Sequence, residues 1–387
     1  MSQSQGTPQA NSSTDNRILH MAMELSNGKW KLGLSDGLSK PSLHTVEARD
    51  REGVLASIEK AKRRFQLADD VRVVSCYEAG RDGFWIDRWL QSEGIENLVV
   101  DSSSIEVSRR KRRAKTDGLD VRKLLVMLIR YVGGEQDTWA VLRVPTEEQE
   151  DGRRLHREIE RLKDERTQHT NRIRSLLALQ GIQVKGTIGT RGWEEQLAAM
   201  KCWDGSELPP ALKAEVVRES ERLEMVREQI KGLQREQCEA VKEPEDEATK
   251  KIAQLMLLYG IGMQSSWLFV HEMFGWREFK NGREVGSYAG LTGTPYDSGE
   301  SEREQGISKA GNRRVRDMIV EIGWCWLRYQ PESKLSIWYQ LRYGGASKRM
   351  RRIGIVALSR KLLVQLWRYV ELGEVPPGAA LGMKKAA

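Results

Sequence analysis

The chain has 387 residues, enough for two or three domains that each bury a core of their own. Hydrophobic residues make up 39% of the sequence and charged residues 30%, and no apolar run approaches the roughly 20 residues that a membrane-spanning helix needs. This composition excludes a membrane protein. Residues 1–16 are polar, which predicts a disordered tail and not a secretory signal, so we expect a cytoplasmic protein.

Cysteine and histidine usage gives no metal or disulfide pattern. The four cysteines lie far apart without a CxxC pair, and the five histidines are equally scattered. This spacing provides neither a zinc template nor a disulfide framework. We expect reduced and mostly buried thiols at Cys76, Cys202, Cys238 and Cys325.

Positive charge is concentrated in two segments. The chain carries a net charge of +8, but residues 309–368 contain fourteen Lys or Arg against three acids. Tryptophan and tyrosine are interleaved with these cations, and such rings offer stacking faces beside phosphate-neutralising charges. A denser cluster consists of Arg109, Arg110, Lys111, Arg112, Arg113 and Lys115. Both segments favour a nucleic-acid partner over a merely solvated basic surface.

Residues 17–132 alternate between short β-type runs and amphipathic helices. The order βββαβαβα is that of a ribonuclease-H-like domain, although order alone does not separate it from other α/β folds. The predicted elements are strands at 17–24, 30–34 and 42–48, a helix at 51–65, a strand at 71–77, a helix at 84–91, a strand at 97–101 and a helix at 117–131.

The middle of the chain has a heptad rhythm. Apolar residues spaced alternately three and four apart predict two long helices, over residues 155–176 and 212–233. Gly and Pro between them predict a chain reversal, so the helices pair antiparallel or dimerise with another subunit. The polar residues at core-type positions, Arg166, His169 and Glu219, either set the register or face solvent, and we expect them to face solvent.

A Pro- and acid-rich stretch at 243–247 marks a hinge before the last domain. That domain opens with a helix at 252–258, a Gly-Ile-Gly turn and a second helix at 265–272. Such a turn places backbone N–H groups where they can contact a DNA phosphate, but it also suits a plain helix–helix connection.

Four acids occur where a two-metal nuclease needs them. Glu24 and Glu78 end two predicted strands, and Asp117 and Asp120 lie three apart at the start of a helix. Carboxylates that converge in this way repel one another until divalent cations bind, and all-oxygen sites suit Mg²⁺. Helix capping alone also explains the two aspartates.

Several motifs together resemble a known family. The string Lys115–Asp120, preceded by Tyr77–Gly80 and the strand ending at Glu24, looks like the DEDD-type, RuvC-like domain of a family of bacterial insertion-sequence transposases. The C-terminal strings 288–292, 296–299 and 307–316 are similar to the transposase domain of that family. The resemblance covers roughly residues 17 to 370.

The resemblance implies a DNA recombinase that uses a structured non-coding bridge RNA, which pairs with donor and target double-stranded DNA. It implies that Glu24, Glu78, Asp117 and Asp120 bind Mg²⁺ and that Ser298 attacks the DNA phosphate, giving a covalent phosphoserine. Glu24 departs from the family pattern, which has Asp at this position. A homo-oligomer, a dimer or a tetramer built as a dimer of dimers, and a nucleoid-associated location in a bacterial cytoplasm are expected with it.

Ser298 lies in a Gly- and Pro-flanked stretch, which predicts an exposed loop. No histidine is near it in sequence, so its activation has to come from the acidic site of the other domain. We expect Lys309, Arg313, Arg314 and Arg316 to anchor the phosphates that flank the cleaved one, and we predict Asn312 as a further nucleic-acid contact.

We therefore predict a chain of class α/β plus all-α. Its parts are a tail at 1–16, a ribonuclease-H/RuvC-like acidic-tetrad domain at 17–140, antiparallel coiled-coil helices for oligomerisation at 145–242, a mainly helical transposase domain at 251–372 and a tail at 373–387. Two alternatives stay open: a metal-dependent, structure-specific endonuclease that activates water, and a non-catalytic nucleic-acid-binding scaffold.

Overall fold

The structure is a computed structural model that describes residues 17–105, 117–298 and 301–382. At residues 103, 117–119, 294–298 and 301–305 it describes the backbone alone. The predicted tail at 1–16 and the basic cluster at 109–115 lie outside the described residues. A boundary after Pro145 divides the chain into two compact units, which we call unit 1 and unit 2.

Unit 1 contains a five-stranded mixed sheet, and each of its strands and major helices lies within one residue of its predicted position. The strand order is β3-β2-β1-β4-β5; β1, β2 and β3 are antiparallel neighbours, whereas β1, β4 and β5 run parallel. The elements are β1 Ile18–Glu24, β2 Lys29–Ser35, β3 Ser42–Glu47, α1 Arg51–Phe65, β4 Arg72–Glu78, α2 Trp85–Ser92, β5 Glu96–Val100 and α3 Asp117–Val132.

The five middle residues of each central strand, β1 and β4, are buried because helices cover both faces of the sheet. Successive side chains point to opposite faces, so Met23 and Tyr77 pack with α1 and α2 on one face. Ala22 and Cys76 pack with α3 on the other face. This alternation decides which way the acids at the ends of these strands point.

Unit 2 begins with the two long helices that the heptad rhythm predicts. They are α5 Arg154–Ala178 and α7 Pro210–Lys242, preceded by α4 Glu147–Asp151 and separated by α6 Trp193–Ala199. The helices pair antiparallel within the chain, because Leu162 packs on Val226 and Ile230 while Ile173 packs near Val216. Dimerisation through them is therefore not needed to cover their apolar faces.

The prediction that His169 and Glu219 face solvent was wrong. His169 Nδ1 lies 2.7 Å from Glu219 Oε2 across the helix pair, and both side chains are mostly buried. One turn further, Arg172 donates to Glu215 at 2.6 Å. These cross-pairs join facing helices and thereby fix their register.

The rest of unit 2 is a helical domain with one small hairpin. Its core gathers buried residues from most of these elements, including Phe269, Trp326, Leu358 and Leu362. The elements are α8 Glu247–Met256, α9 Met263–Phe269, a π-helical turn Val270–Phe274, α10 Gly282–Tyr288, β6 Gly293–Ser298, β7 Ser301–Ile307, α11 Arg313–Tyr329, α12 Lys334–Tyr343 and α13 Lys348–Leu372.

The C-terminal segment, the cysteines and the hydropathy of the helices were also subjects of prediction. The segment after α13 is bound to the core as far as it is described, since Gln330 accepts from the Ala380 amide at 2.8 Å. All four cysteines are free thiols; Cys76 and Cys202 are buried, whereas Cys238 is exposed. Within the described ranges, no helix has both the length and the hydropathy to cross a membrane.

Candidate functional site

Glu24 and Glu78 leave the sheet of unit 1 at the same edge. The parallel register pairs Met23 with Tyr77, so the next residues along the two strands are these two acids. Each acid lies two residues beyond a side chain, Ala22 or Cys76, that packs against α3. Because side chains alternate along a strand, both carboxylates extend toward the α3 side of the sheet.

The other two predicted ligands lie in the first turn of α3. Val121, directly after the half-buried Asp120, packs against Gly33, which is the partner of Ala22 in the sheet. The Asp117 side chain is outside the described residues. The described side chains contain no group of three or more His, Cys, Asp or Glu arranged for a metal ion, so the predicted tetrad is described only in part.

The two C-terminal motifs lie against each other in unit 2. Asn312 N donates to Tyr288 O at 2.7 Å, Lys309 N to Gly290 O at 3.1 Å, and Ser308 N to Thr292 O at 2.9 Å. We call the segments 288–292 and 308–312 the paired loops. Their backbones run along each other directly below the hairpin of β6 and β7.

Two glycines allow this close approach. Gly290 has φ +65° and Gly311 has φ +130°, a region that L side chains rarely adopt. A Cβ atom on Gly311 would lie 2.4 Å from Tyr288 O, and one on Gly290 would lie 2.5 Å from Ala310 O. The Ala-Gly pair in each motif is therefore required by backbone contact.

The sequence predicted that Ser298 lies in a loop, but in the structure it lies in a strand. It is the last residue of β6 and pairs with Ser301 at the start of β7. The Pro295 that favoured a loop lies inside β6, a position that Pro tolerates in a strand with a free edge. The backbone thus carries Ser298 to the tip of a two-stranded hairpin that rises from the paired loops.

A buried carboxylate, Glu272, binds the paired loops to the helices behind them. It lies in the π-helical turn and is 1% exposed. Its side chain accepts hydrogen bonds from His156 Nε2 at 2.9 Å, from Arg157 at 2.7 and 3.0 Å and from Asn312 Nδ2 at 2.9 Å. Its carbonyl oxygen accepts from the Tyr288 hydroxyl at 2.6 Å.

Asn312 connects this network to α11. Its Oδ1 accepts from Val315 N and caps the helix, while its Nδ2 also lies 3.1 Å from the Tyr288 hydroxyl. We predicted Asn312 as a nucleic-acid contact; in the structure its side chain makes its hydrogen bonds inside the protein. Sequence reasoning missed Glu272 because its partners His156 and Arg157 lie more than a hundred residues away in the chain.

The protein environment favours the charged form of Glu272 and the neutral form of the neighbouring His271. Burial raises the pKa of Glu272, but hydrogen bonds from His156 and Arg157 outweigh burial and hold the pKa well below its ordinary value. Burial lowers the pKa of the neighbouring His271 to about 4, and the electrostatic influence of His156 lowers it further. His271 Nε2 is buried without a hydrogen-bond partner among the described residues. The network therefore stabilises the charged Glu272 carboxylate and keeps His271 neutral.

The predicted nucleic-acid-binding cations between Lys309 and Arg316 have different environments. Arg314 donates to Glu160 on α5 at 2.8 Å, and Arg316 donates to the carbonyl oxygens of Ala289 and Lys309. Lys309 and Arg313 are exposed beside the paired loops, Arg313 with an exposed ion pair to Asp317. Of the interleaved aromatic residues, Trp326 and Tyr339 belong to the core, whereas Trp324 and Tyr329 are exposed.

Comparison with known proteins identifies the family. A family model described as Transposase IS116/IS110/IS902 family matches residues 252–337, from α8 into α12. The chain is 41% identical over 375 residues to the putative transposase y4rJ of Sinorhizobium fredii, with 94% of each chain covered. The chain belongs to the IS110/IS116/IS902 transposase family. This membership gives it a general role in DNA transposition.

Two more distant relatives agree with the assignment. The transposase is 26% identical over 304 residues to the putative transposase y4qE of Sinorhizobium fredii, covering 79% of this chain and 70% of the relative. It is also 26% identical over 233 residues to the transposase for insertion sequence element IS1328 of Yersinia enterocolitica, covering 59% and 66%. The segment matched by the family model contains Glu272, Gly290, Ser298 and Asn312 and ends before α13.

The paired loops give a first prediction. Gly311→Ala forces a Cβ atom against the Tyr288 carbonyl and a strained φ, so we expect the free energy of unfolding to fall by about 2–4 kcal/mol. Gly232→Ala is the matched control, because its Cβ meets nothing within 4 Å on helix α7 and should raise stability by about 0.5–1 kcal/mol. Urea unfolding followed by circular dichroism measures both. Equal effects of the two substitutions would contradict the close approach.

The buried histidine gives a second prediction. Unfolded chains take up a proton on His271 as the pH falls below about 6.5, whereas the folded state resists protonation down to about pH 4. The wild type should therefore lose about 2 kcal/mol more unfolding free energy between pH 7 and pH 5 than His271→Leu does. Urea titrations at both pH values test this. The same loss in the two proteins would show that His271 is not held neutral.

Proposed function

We propose that this transposase is an RNA-guided recombinase that excises and inserts its mobile element by serine attack on DNA phosphates. The observation that carries the proposal is the position of Ser298. It lies at the tip of the β6–β7 hairpin, above the paired loops, inside the segment that the family model covers. A hairpin tip lets a hydroxyl approach a duplex without burying the rest of the strand.

The proposed step conserves atoms and charge. The Ser298 Oγ–H proton passes to a base, a bond forms between Oγ and phosphorus, and the phosphodiester bond to one deoxyribose oxygen breaks. The leaving oxygen takes up a proton, and the protein stays bound to DNA through a phosphoserine. A hydroxyl of the partner strand later reverses the reaction, so no external energy source is needed.

We propose a RuvC-like role for unit 1, with Glu24, Glu78, Asp117 and Asp120 as ligands of Mg²⁺. The sheet order β3-β2-β1-β4-β5 supports this, as does the exit of Glu24 and Glu78 at one edge toward the α3 side. All-oxygen donors suit Mg²⁺. A bound ion of this kind neutralises charge on a scissile phosphate and stabilises the developing alkoxide. Glu24 keeps the carboxylate but adds one methylene to its reach.

We further propose that a structured bridge RNA pairs with donor and target DNA and supplies sequence specificity, while the protein reads backbone shape and charge. The two basic segments, residues 109–115 and 309–368, support a polyanionic partner such as RNA. Joining two duplexes requires several active sites held together, so the assembly is a homo-oligomer, a dimer or a dimer of dimers. The helix pair α5 and α7 is its proposed interface.

A covalent-trapping experiment tests the proposed function. Purified protein with its co-purified RNA, Mg²⁺ and end-labelled element-terminus DNA is denatured, and adducts are resolved by electrophoresis. We expect wild type and Ser301→Ala, the matched hydroxyl on the facing strand, to form an adduct and Ser298→Ala to form none. Asp120→Asn should reduce adduct by at least about 100-fold while DNA binding persists, because it removes a metal ligand.

Three other results of this experiment would contradict the proposed function. An adduct with Ser298→Ala assigns the nucleophile to another residue. Metal-dependent cleavage without any adduct, in wild type as in Ser298→Ala, identifies a water-activating endonuclease. Binding without cleavage under all conditions identifies a scaffold.

A further inference from the structure

A wide groove runs along α13 in unit 2. Its volume is about 1550 Å³, and it is bounded by α13, by the start of α10 and by the base of the β6–β7 hairpin. Its floor is apolar, formed by Leu291, Ile307, Ile353, Val356 and Val364. Seven Lys or Arg side chains and no acid line it.

Six of these seven cations lack an ion pair within the described part of the chain; the seventh, Arg368, has Glu374 at 4.0 Å. The six are Arg283, Lys348, Arg349, Arg352, Arg360 and Lys361. Among them, Lys361 contacts a protein group of another kind, the Trp338 ring, at 5.1 Å from the ring centroid.

The long helices α5 and α7 show a different pattern. Six of their eleven exposed Lys or Arg side chains have an acidic partner among the described residues, as in Arg172 with Glu215 and Arg222 with Glu219. Such pairs neutralise cations without an external anion. Unpaired like charges around a groove repel one another and destabilise the fold until an anion neutralises them. The difference between the two surfaces therefore indicates a polyanionic occupant for the groove.

The groove has the length of a nucleic-acid segment. Arg349, Arg352, Val356, Arg360, Val364 and Arg368 line the groove on a ridge of residues spaced three or four apart, which winds around α13 and covers about 28 Å of its axis. Nucleotides repeat every 3.4 Å, so this ridge spans about eight of them. Cations at the rim suit phosphates, and an apolar floor suits sugars and base faces.

Strand β6 of the hairpin connects the groove to the proposed nucleophile, Ser298. Gly293 lines the groove and begins β6, and Ser298 ends the same strand five residues later. A strand of this length spans at most about 17 Å, or five nucleotide steps.

From these observations, and resting on the function proposed for Ser298, we propose that the α13 groove binds the backbone of the DNA strand that Ser298 cleaves. The nearest contacted phosphate lies within about five nucleotides of the cleaved one.

The first test measures binding without cleavage. The double variant Arg349→Ala/Arg352→Ala and the control Arg51→Ala/Arg63→Ala, on α1, each lose two exposed arginines from a helix. Affinity for a fluorescein-labelled DNA duplex and for an RNA hairpin is measured against salt concentration. We expect the slope of log affinity against log salt for DNA to fall by about 2 in the groove variant, since each lost phosphate contact removes about 0.9. The control should keep the wild-type slope.

The second test locates the contact. Single methylphosphonates, which remove one phosphate charge each, are placed along the cleaved strand, and adduct formation is scored. With wild type, loss of yield should continue past the cleaved phosphate to groove-bound phosphates that begin within about five nucleotides of it, and this outer part of the pattern should disappear in the groove variant.

The outcomes separate the groove from the nucleophile. An unchanged DNA slope in the groove variant overturns the proposal, and a slope that falls for RNA alone assigns the groove to RNA instead. If the DNA slope falls while no protein forms an adduct, the groove binds DNA and the proposed serine chemistry is what fails.

Discussion

The hydrogen bonds to the buried carboxylate of Glu272 are the interaction on which the paired loops of this transposase depend. A charge with 1% exposure is stable only when several donors surround it, and here they come from His156 and Arg157 on α5 and from Asn312, the N-cap of α11. Because these donors belong to elements far apart in the chain, satisfying one carboxylate joins them in space. The paired loops, and the hairpin that carries Ser298, are built on that junction. The π-helical turn places the carboxylate where a regular helix would not.

The sequence was sufficient to predict the strands and helices of unit 1 and the pair α5 and α7, because each of these elements follows from a local sequence pattern. Apolar runs of β1 and β4 and the periodic helices each carry their own signal, and the register of a parallel sheet then brings Glu24 and Glu78 to one edge. The hairpin was missed because Pro295 and the glycines around Ser298 read as a loop, whereas the pairing that makes β6 a strand comes from β7. His169 and Glu219 were misread because each was judged alone, and each is satisfied by the other.

Glu272 shows a different limit. In sequence it is one acid in an apolar helix, next to a histidine, and nothing nearby reveals that His156, Arg157 and Asn312 surround it. Asn312, Arg314 and Arg316 were grouped with other residues of the basic segment, yet the structure uses them for capping, for an ion pair and for binding carbonyl oxygens. Net charge locates a nucleic-acid surface only after such internally paired cations are removed. In unit 2 the unpaired cations that remain include those of α13, which lies beyond the family model.

Glu272 holds the second of the paired loops through its hydrogen bond from Asn312. A double-mutant cycle with Glu272→Gln and Asn312→Ser tests it, because serine keeps the helix cap but removes both side-chain N–H donors. Unfolding free energies of the wild type, both single variants and the double variant give the coupling between the two side chains. We predict a coupling of about 1–3 kcal/mol, the range for a buried hydrogen bond to a charged group. Additivity within about 0.3 kcal/mol would contradict the account.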